Sequence, residues 1–122
     1  QTPFTVSVDA KVTTTGMSVE DRLATLSVIT SDESSPEDLD RPGHLFPLRP
    51  REGLLKDRRG HTEGSIELML LAGLKPIAII CEIMNDDGTM TKGGQINKFA
   101  TENGLTLVSI EELYEAVYNE SL

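Results

Sequence analysis

At 122 residues the chain has the length of one ordinary domain, enough to enclose a single core and too short for two. Twenty acidic side chains against eleven basic ones leave a net charge of -9 at pH 7, which opposes general binding to nucleic acid or to an anionic membrane, and no apolar run reaches membrane-spanning length. Hydrophobic residues make up 38%, with no Trp, two Tyr and three Phe, so the core must rest on aliphatic side chains. The basic charge is segregated, because Arg41, Arg49, Arg51, Lys56, Arg58 and Arg59 all fall between residues 41 and 59, and an anionic ligand would have to bind there. Cys81 has no second cysteine to pair with, which fits a reducing compartment; with no visible secretory leader, the expectation is a cytoplasmic protein.

From Thr2 to Asp9 the alternation of Phe4, Val6 and Val8 with polar residues predicts a half-buried strand. Thr13-Thr14-Thr15-Gly16 then leads to Ser18, a helix cap with Asp21 three residues on, and Val19, Leu23, Leu26 and Ile29 follow at helical spacing. Ser35-Pro36-Glu37-Asp38 suits one short capped turn within a polar surface connection. In Arg41-Pro42-Gly43-His44-Leu45-Phe46-Pro47 two prolines and a glycine predict a rigid loop around His44; a histidine so placed is more often structural than catalytic. Residues 49–60 show little periodicity and read as a mobile basic loop.

Lys56-Asp57-Arg58-Arg59-Gly60-His61-Thr62-Glu63 crowds cations, an imidazole, a hydroxyl and a carboxylate onto the entrance of a helix predicted over 62–72 and stopped by Gly73. The free N–H groups and dipole of a helix N-terminus favour an anion, and Arg58 adds a fork of donors, so a phosphate would sit well there. Lys75-Pro76 opens Ile77 to Ile83, an unbroken apolar run of the kind found in central strands buried on both faces, with Glu82 near its carboxyl end. A carboxylate there is costly unless it is paired, bound to a cation or exposed at the rim, and ligands gather at the carboxyl ends of strands in open α/β sheets. Met84 to Thr89 is a polar turn without calcium-loop spacing. Residues 93–103 predict a helix presenting Ile96, Phe99 and Ala100; Leu105, Leu107 and Ile110 alternate as a short strand. Ser109 and Glu112 form a capping box for a last helix with Leu113, Ala116 and Val117 as its buried stripe, and the tail from Asn119 should fray.

The order of elements predicts a single domain over 1–122, a layered α/β (α+β) sandwich with a mixed sheet flanked by helices, incomplete at its N-terminal side. Neither a nucleotide-type glycine signature nor a Cys/His zinc pattern is present.

Arg41-Pro42-Gly43-His44 with Phe46-Pro47-Leu48-Arg49, then Arg59-Gly60-His61-Thr62-Glu63, then Leu71-Ala72-Gly73, then the run from Cys81-Glu82-Ile83-Met84-Asn85 to Met90, together resemble 3,4-dihydroxy-2-butanone 4-phosphate synthase of riboflavin biosynthesis. The resemblance implies a magnesium-dependent (or manganese-dependent) lyase, commonly a homodimer with its active site near the subunit interface, that converts ribulose 5-phosphate to a four-carbon ketone phosphate and formate. It makes His61 a metal ligand, places Arg58, Arg59, Gly60, His61 and Thr62 around the phosphorylated substrate, and gives His44 and Glu82 the essential acid/base roles, Glu82 also touching substrate. Thr14 and Thr15 are further candidates for phosphate contact. A histidine is an uncommon partner for a hard cation, so His61 needs oxygen ligands beside it.

The chain departs from the family pattern in two places. The family's upstream half, with an acidic loop that supplies a glutamate to the metal, is not in these 122 residues, so the expectation is one part of a larger enzyme with little activity alone. Where the family usually has paired glycines before the Arg-Gly-His segment, this chain has Gly53-Leu54. Two other readings compete: a non-catalytic assembly module that keeps the fold, and a different metal-dependent sugar-phosphate lyase or isomerase that shares the phosphate corner.

Overall fold

The computed structural model describes residues 3–119; Thr2, at the start of the first predicted strand, and residues 120–122, in the tail expected to fray, lie outside the described residues. The chain folds as two compact units, one up to Pro50 and one from Arg51. Among the described residues no helix is long and apolar enough to cross a membrane.

In the first unit β1 (Val8–Ala10) pairs antiparallel with β2 (Leu39–Leu45), and α1 (Val19–Thr30) packs on both. The predicted strand from residue 2 to 9 is interrupted: a separate bridge joins Phe4 to Leu48 before β1 begins. Ser18 caps α1 as expected, its hydroxyl accepting from the Asp21 N–H. The turn over Pro36–Asp38 also forms, as a 3-10 helix. What α1 buries differs from expectation, since Val19 and Leu23 are exposed and Asp21 and Thr25 face inward. The reason is hydrogen bonding: Thr25 Oγ1 accepts from the Ala10 N–H at 2.9 Å and donates to the Asp21 carbonyl, tying helix to strand where Val8 and Ala10 form the core.

The expected loop around His44 is a strand with a large bulge. Val8 faces Leu45 but the next residue, Asp9, faces Asp40, so residues 41–44 are looped out of the ladder. Pro42 suits this position because it has no N–H to lose from the ladder.

Of residues 49–60, read as a mobile basic loop, those from Arg51 onward lie in the second unit and are more ordered than that, for a 3-10 helix over Leu54–Lys56 buries Leu55 completely. Leu54, at the departure from paired glycines, has φ +49, a left-handed conformation that a side chain resists. α2 (His61–Leu71), α3 (Gly94–Glu102) and α4 (Ile110–Tyr118) follow near their predicted bounds, and Leu55, Ile110 and Leu113 gather around Gly64 where α2 meets α4. The Ser109 and Glu112 capping box forms on α4. Leu113 is buried there as expected, whereas Ala116 is exposed and Val117 half-buried. On α2 the inward residues are Thr62, Glu63, Gly64 and Glu67, and Leu68, Leu70 and Leu71 are exposed.

The helices and sheet agree with the expected α+β class, although the sheet among the described residues is two-stranded and antiparallel rather than mixed. Residues 77–83, expected as a central strand buried on both faces, join no ladder, and Ile79 is 71% exposed. A strand needs a hydrogen-bonded neighbour, and the second unit holds no other strand among the described residues to provide one. For the same reason Leu105 to Ser109 is not a strand; Leu107 and Val108 are exposed. The polar turn forms as read, with an isolated bridge between Met84 and Met90 and the Thr89 hydroxyl donating to Asp87.

Candidate active site

The helix entrance lies in the second unit. Gly60 caps α2 without a side chain, so His61 and Thr62 present first-turn N–H groups that have no intrahelical acceptor. His61 is exposed, and Thr62 is buried. Arg58 Nη1 crosses the helix end to reach Glu63 Oε2 at 2.6 Å, and Glu63 Oε1 accepts from the Arg51 N–H at 3.1 Å. Gly60 makes that crossing possible, because a Cβ there would lie 2.2 Å from Arg58 Nη1. Burial alone would raise the Glu63 carboxyl, but the Arg51 N–H and the Arg58 guanidinium outweigh it and hold the group below its usual range. An anionic carboxylate thus fixes a guanidinium beside two N–H groups that have no intrahelical acceptor. This is an arrangement that can take a phosphate.

Arg59 turns elsewhere. Its Nη1 donates to both Glu111 carboxylate oxygens at 2.7 Å, and its guanidinium lies 3.8 Å from the Tyr114 ring centre. These contacts engage its charge with α4.

In the first unit Asp9 and His44 meet. His44 Nδ1 lies 2.6 Å from Asp9 Oδ2, and the His44 N–H donates to Asp9 Oδ1 at 2.9 Å. The His44 N–H, followed by its ring, holds the Asp9 carboxyl below its usual range. Asp21 organises the adjoining loop: its carboxylate accepts from the backbone N–H groups of Thr14, Thr15 and Gly16 and from the Thr14 hydroxyl. The Thr14 N–H leads the contacts that keep the Asp21 carboxyl low. The loop's donors therefore hold an internal anion, which bears on the two threonines as phosphate contacts.

Glu82 lies exposed in the segment over residues 77–83 that joins no ladder, and no side chain among the described residues bonds its carboxylate. The structure thus brings Arg58, Gly60, His61 and Thr62 together in one unit, joins His44 to Asp9 in the other, and leaves Glu82 open. Asp9, Asp21 and the inward role of Glu63 were not identified from sequence as site-building groups. The contact between Asp9 and His44 spans 35 positions and has no local signal; Asp21 did have one, the Ser-x-x-Asp spacing, which marks the cap and not the carboxylate's other use.

The chain matches the family 3,4-dihydroxy-2-butanone 4-phosphate synthase over residues 1–116. It is 51% identical over 115 residues to the 3,4-dihydroxy-2-butanone 4-phosphate synthase of Shewanella woodyi, a match covering 93% of this chain and 53% of that protein. It is 53% identical over 114 residues to the monofunctional riboflavin biosynthesis protein RIBA 2, chloroplastic, of Arabidopsis thaliana, covering 93% of this chain and 24% of the plant protein. Among solved structures, 3,4-dihydroxy-2-butanone 4-phosphate synthase of Candida albicans superposes with a TM-score of 0.90 at 42% identity, over 95% of this chain and 60% of the other. A 3,4-dihydroxy-2-butanone 4-phosphate synthase in complex with two magnesium ions gives a TM-score of 0.84 at 34% identity, over 98% and 61%. The chain thus spans about half the length of the bacterial relative and about a quarter of the plant one.

Proposed function

The chain belongs to the 3,4-dihydroxy-2-butanone 4-phosphate synthase family, and on that premise we propose that the protein converts D-ribulose 5-phosphate to L-3,4-dihydroxy-2-butanone 4-phosphate and formate in riboflavin biosynthesis. The observation that carries the reading is the family match over residues 1–116, which includes every candidate site residue. The helix entrance supports it chemically: Arg58, Gly60, His61 and Thr62 would hold the substrate phosphate, and Arg59, Thr14 and Thr15 are the weaker candidates, because Arg59 Nη1 bonds Glu111 and the two threonine N–H groups bond Asp21. His44 and Glu82 would move protons next to the substrate carbonyl, as enediol formation, a carbon-skeleton shift and loss of formate require. The 122 residues would form part of one such domain, in a cytoplasmic homodimer with the active site near the subunit interface; the resemblance in sequence supports this.

A divalent cation belongs to the same reading, and the residues present do not make a site for it by themselves. Among the described residues no three His, Cys, Asp or Glu side chains gather to hold a metal. His61 offers a single nitrogen to Mg2+ or Mn2+, and a hard cation takes mainly oxygen ligands. The remaining ligands would come from outside these 122 residues.

The test is formate release. The protein expressed from its complete reading frame, given D-ribulose 5-phosphate and magnesium chloride, should yield formate and a four-carbon ketone phosphate in equal amounts, the second identified by mass spectrometry. Another product, or none, overturns the reading. The 122-residue chain alone should release no substantial formate. His44→Ala and Glu82→Ala should each lower kcat by roughly 100- to 10,000-fold with the helical circular dichroism intact; near-normal turnover would remove that residue from the mechanism.

A further inference from the structure

We propose that Asp9 is the positioning residue for His44, holding the imidazole with its proton on Nδ1 so that Nε2 is the nitrogen able to accept a proton. This rests on the reading above, in which His44 is an acid/base group.

The geometry makes the case in three steps. First, both Asp9 oxygens go to one residue: Oδ1 accepts from the His44 N–H and Oδ2 lies 2.6 Å from Nδ1, so backbone and ring are fixed by the same carboxylate. A carboxylate can only accept, and the Asp9 group is ionised at neutral pH, so Nδ1 carries the proton. Second, the bulge over residues 41–44 takes the His44 N–H out of the ladder and leaves it for a side chain to satisfy. Third, the pair has a fitted wall. Gly16 has φ +76, and a Cβ there would lie 2.2 Å from Asp9 Oδ2 and 2.6 Å from His44 Nδ1. Its N–H is held at 2.9 Å by the Asp21 carboxylate, so the first turn of α1 keeps the backing in place.

A purely structural Asp9, satisfying only the His44 N–H, predicts different behaviour. In Asp9→Asn the amide oxygen can still accept from the backbone, while its NH2 can donate to Nδ1 and drive the ring proton to Nε2. In the protein from its complete reading frame, Asp9→Asn should lower kcat by roughly 100-fold or more with KM within about threefold, and Asp9→Glu should restore part of the loss. Nitrogen-15 spectra of the neutral His44 ring should show the proton on Nδ1 in the unsubstituted protein and on Nε2 in Asp9→Asn. A kcat within about threefold for Asp9→Asn, or Nε2 protonated in the unsubstituted protein, overturns the proposal; the ring spectra decide it even if Asp9→Asn folds poorly. If the unsubstituted protein releases no formate, the functional reading fails, and the spectra still decide the arrangement of the ring.

Discussion

Arg58 donates from Nη1 to Glu63 Oε2 at 2.6 Å across the entrance of α2, so a half-buried guanidinium of the candidate site hangs on a carboxylate with no solvent exposure. Removing Glu63 would leave a guanidinium and the Arg51 N–H without their acceptor. Glu63→Ala should therefore cost about 3 kcal/mol in urea unfolding, and Glu63→Gln, which keeps an acceptor and loses the charge, about half as much. Equal stability of all three proteins would show that the pair does not hold the corner.

Adjacent leucines should respond in opposite ways. Leu55 is fully buried, so Leu55→Ala should cost about 3 kcal/mol. Leu54 is half-buried at φ +49, and in Leu54→Gly the relief of the left-handed backbone should offset the lost burial and added chain entropy to within about 1 kcal/mol. Thermal unfolding of the two variants separates them, and a Leu54→Gly as damaging as Leu55→Ala would refute the contrast.

Acid should loosen the first unit through Asp21. Its carboxyl lies below the ordinary 3.8 because the Thr14 N–H, the Thr14 hydroxyl and the N–H groups of Gly16 and Thr15 favour the anion. A group lowered on folding contributes stability that is fully present above the ordinary value and fades as pH falls through the folded one. Amide exchange at Thr14, Thr15 and Gly16 should be slow at pH 6 and quicken below pH about 4 relative to the intrinsic rate. In Asp21→Asn that extra pH dependence should be missing; an identical profile would place the acid response elsewhere.

At the alkaline end Tyr118 takes the corresponding part. Its hydroxyl donates to the buried Glu67 carboxylate, which, with burial, pushes the phenol up to about 12 from 10.0. A pKa raised on folding gives stability present below the ordinary value and lost as pH climbs through the folded one, here between 10.0 and about 12. Ultraviolet titration should show a late tyrosinate component that Tyr118→Phe removes. That variant should also cost about 1–3 kcal/mol at neutral pH by leaving Glu67 without the hydroxyl.

Local grammar was legible in the sequence. Ser18 and Ser109 cap their helices because a hydroxyl and a nearby N–H need only a few residues of context, and the α2 entrance was visible in Gly60-His61-Thr62-Glu63 for the same reason. Helix faces were less legible. Apolar spacing pointed to Val19 and Leu23 as the inner side of α1, but Thr25 and Asp21 have backbone partners in β1 and the Thr14–Gly16 loop that spacing cannot reveal. The strand over residues 77–83 rests on an apolar run and that over 105–110 on alternation, and neither pattern names a pairing partner. His44 was found as a candidate, whereas Asp9, which fixes it, lies 35 residues away on the strand that the bulge disrupts.

The segment from Ile77 to Ile83 carries one more implication. Between its bonded ends, where the Ile77 N–H donates to the Lys75 carbonyl and the Ile83 carbonyl accepts from the Thr91 N–H, its main chain joins no ladder, on a strip rich in isoleucine with Ile79 and Ile80 exposed. Such a strip is a template onto which any free extended peptide can add by backbone pairing. At high concentration this chain should therefore gather into β-rich assemblies, and a charged residue at Ile79 should keep it dispersed.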